Sequence, residues 1–146
     1  MYATYGGAFA GDFARNALYH NPGTTNGWVK MKLAGVKANR QAIGARVKIN
    51  LETPNGLRAL HRVVSSGGSF GGNPLRLEVG LGNATAIRSV EILWPGSGTR
   101  QTVTGLALRK SYEIREGGDA TELKMTPVNI KHEPKPRMKF FEATNR

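Results

Sequence analysis

Between residues 28 and 33 the chain reads W-V-K-M-K-L, so Val29, Met31 and Leu33 fall on one side and Lys30 and Lys32 on the other. A period of two marks a half-buried β-strand, because successive side chains of an extended backbone point to opposite faces. The same alternation returns at 45–51, where Ala45, Val47, Ile49 and Leu51 oppose Arg46, Lys48 and Asn50. Pro54-Asn55-Gly56 then forms a turn, and a third strand over 57–64 runs back antiparallel to the second, since so short a connection cannot carry a parallel crossover. Further strands are predicted around Leu75, Leu77, Val79 and Leu81, and over 87–94 with Val90, Ile92 and Trp94 sharing a face. Pro95-Gly96-Ser97-Gly98 turns that strand into a return over 99–103, and a last strand over 111–115 points Tyr112 and Ile114 inward. The stretch 65–74, S-S-G-G-S-F-G-G-N-P, is too rich in glycine for a helix and is predicted to be an exposed, mobile loop. No window carries a sustained helical stripe. The expected fold is therefore all-β, an antiparallel β-sandwich or a partly open barrel of short strands.

Composition sharpens this picture only in part. The 146 residues suffice for a domain whose core needs neither metal nor disulfide, and the 19 glycines fit many tight turns. No cysteine is present, which removes disulfides, zinc thiolates and a cysteine nucleophile. Lys and Arg number 21 against 10 Asp and Glu, and a formal charge of +11 attracts polyanions such as nucleic acid, anionic glycans or a phospholipid surface. The opening residues lack the basic start and apolar run of a signal peptide, and no stretch is long enough for a membrane span. From Asn129 onward the tail mixes basic residues with two prolines and reads as an extended arm, with Phe140 and Phe141 as docking residues.

Few residues point to chemistry. Gly67-Gly68-Ser69-Phe70-Gly71 matches the G-x-S-x-G pattern of a nucleophile elbow, but Gly72-Asn73-Pro74 leads into a strand where a helix should follow. His132 is the sole later histidine and sits in the prolyl tail; His20 and His61 stand alone, without the partner a general base requires. Glu78, Glu91 and Glu113 fall on outward strand faces, as solvated partners of neighbouring Lys or Arg. Gly80-Leu81-Gly82 opens like a dinucleotide fingerprint, yet Thr85 stands where the third glycine belongs; it reads as a strand-ending turn. Lys30, Lys32, Arg46 and Lys48 would make one positive sheet face if their strands adjoin. Aromatic residues are 8% of the chain, too few for the interleaved basic and aromatic surface of a nucleic-acid reader, so nucleic acid is disfavoured as a partner. Trp28 and Trp94 are either core or platforms for a sugar.

Four blocks in order carry a family resemblance: Asn26-Gly27-Trp28 with the strand after it, the run from Gly35 to Val47 (G-V-K-A-N-R-Q-A-I-G-A-R-V), Ser66-Gly67-Gly68-Ser69-Phe70, and Leu77 to Gly82 followed by Val90-Glu91-Ile92-Leu93-Trp94-Pro95. Together they resemble the ASPIC/UnbV domain. Glu78 stands where that family more often has histidine, and Gly71-Gly72 replace more polar loop residues. Upstream, Arg15-Asn16-Ala17-Leu18-Tyr19-His20-Asn21 resembles the end of an FG-GAP/VCBS propeller repeat. The resemblance implies residues 1–25 as a repeat end or linker, 26–117 as the β domain and 118–146 as a basic extension. It further implies a fragment of an exported protein, extracellular, at the cell surface or periplasmic, whose module packs on its own upstream β-propeller. It implies no catalysis, no cofactor within this segment and calcium only in the propeller; together with the +11 charge it makes the expected role adhesion or assembly, with an acidic polysaccharide or a protein as ligand. Asn39, Arg40, Arg46, Ser66, Gly67, Gly68 and Ser69 are the candidate binding residues. The same glycines have a structural explanation, as positions of positive φ or close backbone approach, with Asn39 capping a turn and Arg40 or Arg46 pairing with a strand carboxylate.

Overall fold

In the computed structural model the alternating segments form the strands their periodicity predicts. The structure describes residues 2–3, 17–19, 22–67, 72 and 74–124. Among these lie β1 (Tyr2–Ala3), β2 (Ala17–Leu18), β3 (Gly27–Ala34), β4 (Arg46–Thr53), β5 (Gly56–Val63), β6 (Leu77–Gly82), β7 (Ala86–Leu93), β8 (Arg100–Val103), β9 (Lys110–Arg115) and β10 (Ala120–Glu122). β1 and β2 pair as a short ribbon, and the others form two four-stranded sheets ordered β10-β9-β3-β6 and β5-β4-β7-β8. The two sheets do not close on one another, so the fold is a sandwich and not a barrel. No helix among the described residues is long and apolar enough to cross a membrane.

The core follows from the period of two. Val29 and Met31 of β3, Val47, Ile49 and Leu51 of β4, Val90 of β7 and Ile114 of β9 are all within one per cent of complete burial. Each such side chain contributes roughly 1.5–3 kcal/mol relative to exposure. β4 and β5 pair over eight unbroken positions from Arg46↔Val63 to Thr53↔Gly56, as the P-N-G turn predicts. One pair departs from the antiparallel expectation: β3 and β9 are parallel. β8 and β9 lie in different sheets, so residues 104–109 cross the edge of the sandwich, and the crossing sets the direction in which β9 meets β3. β10 extends the sheet beyond Gly117, which no alternation announces in Ala120-Thr121-Glu122. Gln101 of β8 seals that side: its Oε1 accepts Trp94 Nε1–H at 2.8 Å and the Gly117 N–H at 3.0 Å, while Nε2 donates to the Arg115 carbonyl at 3.1 Å.

The single positive face drawn from Lys30, Lys32, Arg46 and Lys48 does not exist. β3 and β4 belong to different sheets, so their polar sides face opposite directions with the core between them. Three of those cations also meet carboxylates: Lys30 with Glu78 at 3.5 Å, Lys32 with Glu113 at 3.5 Å and Lys48 with Glu91 at 3.1 Å. The three glutamates thus partner strand lysines, as their outward positions predict. Glu78 is held below the ordinary carboxylate range, first by its hydrogen bond from Arg76. The tryptophans divide: Trp94 is wholly buried, whereas Trp28 keeps 37% of its surface, with the Lys30 ammonium 5.6 Å from its ring centroid.

Candidate functional site

The loop between β3 and β4 begins at a position only glycine can fill. A Cβ on Gly35 would stand 2.2 Å from the Asn39 carbonyl oxygen and 2.8 Å from that of Ala38. That close approach folds residues 36–38 so that three consecutive N–H groups converge. The Oε2 of Glu116 accepts all three, from Val36 at 2.8 Å, Lys37 at 2.7 Å and Ala38 at 2.7 Å. Ser97 donates its hydroxyl to the other oxygen, Oε1, at 2.6 Å. Converging backbone N–H groups form a nest suited to an anion, and here the chain's own carboxylate fills it. Desolvation opposes the charge on Glu116, but the hydrogen bonds from Ser97 and the three backbone groups outweigh it and hold the carboxyl at about 2. Further along, Asn39 closes a ring on Ile43, accepting its N–H at 2.9 Å and donating to its carbonyl at 2.9 Å. Ala42 takes φ 53° and Gly44 φ 92°, which brings Gly44 N–H to the Val64 carbonyl at 2.8 Å.

This locked loop forms one wall of a groove of about 560 Å³. Arg40 and Gln41 come from the loop, Pro74, Leu75 and Arg76 from the segment entering β6, Lys32 from β3 and Arg115 from the end of β9. Register places them together: Lys32 lies beside Glu113 and Ala34 beside Arg115, on the outward side of the sheet. Four cations therefore line the groove with Glu113 as its one acid. Lys32 pairs with Glu113 and Arg76 with Glu78, whereas Arg40 and Arg115 have no carboxylate within ion-pair distance among the described residues. Two guanidiniums that line one groove favour an anionic guest, since each presents a planar fork matched to carboxylate or sulfate oxygens.

The candidate residues do not share one site. Arg40 lines this groove. Asn39 is engaged by Ile43, so both of its amide atoms serve the loop. Arg46 lies on the other sheet, in a smaller groove of about 340 Å³ with Lys48, His61, Glu91 and Arg100. Neither Arg40 nor Arg46 pairs with a strand carboxylate among the described residues, contrary to the structural role drawn for them. Ser66 and Gly67 are exposed, and the Gly67 N–H donates to Ser65 Oγ at 3.1 Å. Gly68, Ser69, Phe70 and the tail from 125 lie outside the described residues, as do Arg15, Asn16, His20 and Asn21 of the upstream motif. Among the motif glycines Gly44 and Gly82 take positive φ, and Gly35 answers to close approach. Sequence reasoning missed Glu116, Ser97, Arg76 and Arg115. Arg76 and Arg115 flank strands in a way no spacing connects, and Glu116 offered only its place before Gly117-Gly118. Among the described residues no three His, Asp or Glu side chains gather as a metal site would need.

Comparison with known proteins reaches the same part of the molecule. None of the curated proteins and none of the solved structures matches the chain. The family model described as ASPIC and UnbV matches residues 35–121, from the close-approach glycine that opens the locked loop to the middle of β10. That match spans more than half of the chain and includes Glu116, Ser97, Arg40, Arg76 and Arg115, so the chain belongs to the ASPIC and UnbV family.

Proposed function

We propose that this domain is a non-catalytic recognition and assembly module, which packs beside a β-propeller of an exported protein and holds an acidic glycan or an acidic protein segment. The observation that carries the reading is the groove in which Arg40 and Arg115 have no carboxylate partner among the described residues, beside a loop pinned by Glu116. The loop's backbone at 36–38 is engaged by Glu116 and its Asn39 by Ile43, which fixes this wall of the groove and leaves Arg40 as its charged group there. A rigid, positively charged groove gains affinity from preorganisation and from electrostatic attraction, and it needs no cofactor for that task. Calcium, on this reading, belongs to the propeller.

A second reading has its own observation: Trp28 offers a half-exposed ring beside Lys30, a platform for a neutral sugar, while buried Trp94 cannot serve. One array distinguishes them. Acidic and neutral glycans and acidic peptides are presented at physiological and raised salt, with DNA as the polyanion control. The module reading expects selective retention of a subset of acidic ligands over DNA. Equal binding of every polyanion, all lost together at raised salt, would contradict it. Binding of neutral sugars, lost in Trp28→Ala, would replace it with the platform reading.

A further inference from the structure

Away from the groove, β5 is an edge strand of unusual openness. It spans eight residues against four for β8, three for β10 and six for β6, the other outer strands of the two sheets. Seven of its eight residues are exposed, only Leu60 being half-buried, and its pairing with β4 continues to both ends without a bulge. Its far side has no strand partner among the described residues. Leu57 is 70% and Val63 54% exposed, so no described residue covers these two apolar positions. Long edges without a bulge template the addition of another strand, and proteins usually shorten, bulge, charge or cover them.

Charge decides what could be added. β5 carries Arg58, His61 and Arg62 and no acid. Leu57, Ala59, His61 and Val63 share one face with Arg46 and Lys48 of β4, while Arg58, Leu60 and Arg62 share the other. Antiparallel pairing with a second β5 would bring these arginines near their own copies, which repels a second copy of the chain. Arg58 is partly engaged already, donating to the Leu81 carbonyl at 2.6 Å, and this holds β5 against the other sheet. Among the described residues Arg62 bonds its neighbour's carbonyl, on His61, and no carboxylate.

We propose that β5 accepts, as a fifth strand of its sheet, an extended protein segment in which acidic and apolar residues alternate. Main-chain hydrogen bonds to the edge that β5 leaves unpaired among the described residues supply the affinity. The acidic side of the segment meets Arg62, and its apolar side lies along the face of Leu57, Ala59 and Val63, with His61 between the last two. This surface is separate from the Arg40 groove and does not depend on it.

The test uses the full chain, isotopically labelled, and a peptide the length of β5 that alternates valine and glutamate, with a valine–lysine peptide as control. Amide hydrogen exchange reports which backbone groups gain protection. The expected result is protection within residues 56–63 by the glutamate peptide alone. Its affinity should fall about tenfold or more in Arg62→Glu, whereas Lys124→Glu, the same charge change on an exposed residue just after β10 of the other sheet, leaves it unchanged. Arg62 is exposed and outside the core, so its replacement tests charge without removing packing. Three results would overturn the proposal: no protection of 56–63 at saturating peptide, protection confined to residues 35–44, or equal protection by the lysine peptide.

Discussion

At Glu116 one carboxylate holds three consecutive backbone N–H groups and a serine hydroxyl, all from segments distant in sequence. Its ionised form is the one these donors stabilise, so its folded value of about 2 lies below the ordinary 4.5. The sign follows from linkage: as pH falls through the ordinary range the unfolded chain takes up a proton that the folded chain refuses. The stability due to Glu116 is therefore complete above about pH 4.5 and is lost as pH falls toward about 2. Glu116→Gln keeps the shape and removes the charge. It is expected to lower the denaturation midpoint at neutral pH and to show a smaller decline on acidification than the parent. Urea titrations at neutral and acidic pH measure both, and identical acid sensitivity of the two chains would show that the nest does not depend on ionised Glu116.

Among the elements, the locked loop separates glycines that look alike in sequence. In Gly35→Ala the new Cβ would meet the Asn39 and Ala38 carbonyls, backbone atoms that cannot move without undoing the nest. A loss of more than about 2 kcal/mol is expected. Gly80 has open space where its Cβ would stand and no positive φ, so Gly80→Ala should stay within about 0.5 kcal/mol. Chemical denaturation of both variants checks the contrast, and equal losses would contradict the geometry. Legibility divided along the same line. Val47, Ile49 and Leu51 announced their burial because a strand packed on one face writes its environment into every second residue, and Pro54-Asn55-Gly56 announced the β4–β5 hairpin. The parallel β3–β9 pair and the Glu116 bonds join residues about eighty apart, as in Val36 and Glu116, and no local pattern records such a closure. Arg40 was legible as a candidate but its neighbours Arg76 and Arg115 were not, because the groove comes from folding three separate segments together.

For the whole molecule, a formal charge of +11 would favour any polyanion, but the fold distributes that charge unevenly. Strand lysines are matched with glutamates across each sheet, and the two outer faces are kept apart by the core. Two local pairs without carboxylate partners among the described residues are Arg40 and Arg115 in one groove and Arg46 and Arg100 in another on the opposite sheet. Recognition that depends on a site should answer to the first pair and not to the second, whereas attraction by net charge should answer equally to both. The most direct measurement is the affinity of a sulfated oligosaccharide at physiological salt for the parent chain, for Arg40→Glu with Arg115→Glu, and for Arg46→Glu with Arg100→Glu. Both double variants carry the same charge change on exposed residues. Loss of binding by about tenfold or more in the Arg40 and Arg115 variant, with a much smaller loss in the other, is the expected outcome. Equal losses in the two would mean that the oligosaccharide responds to charge alone and that the groove beside the locked loop is not a recognition site.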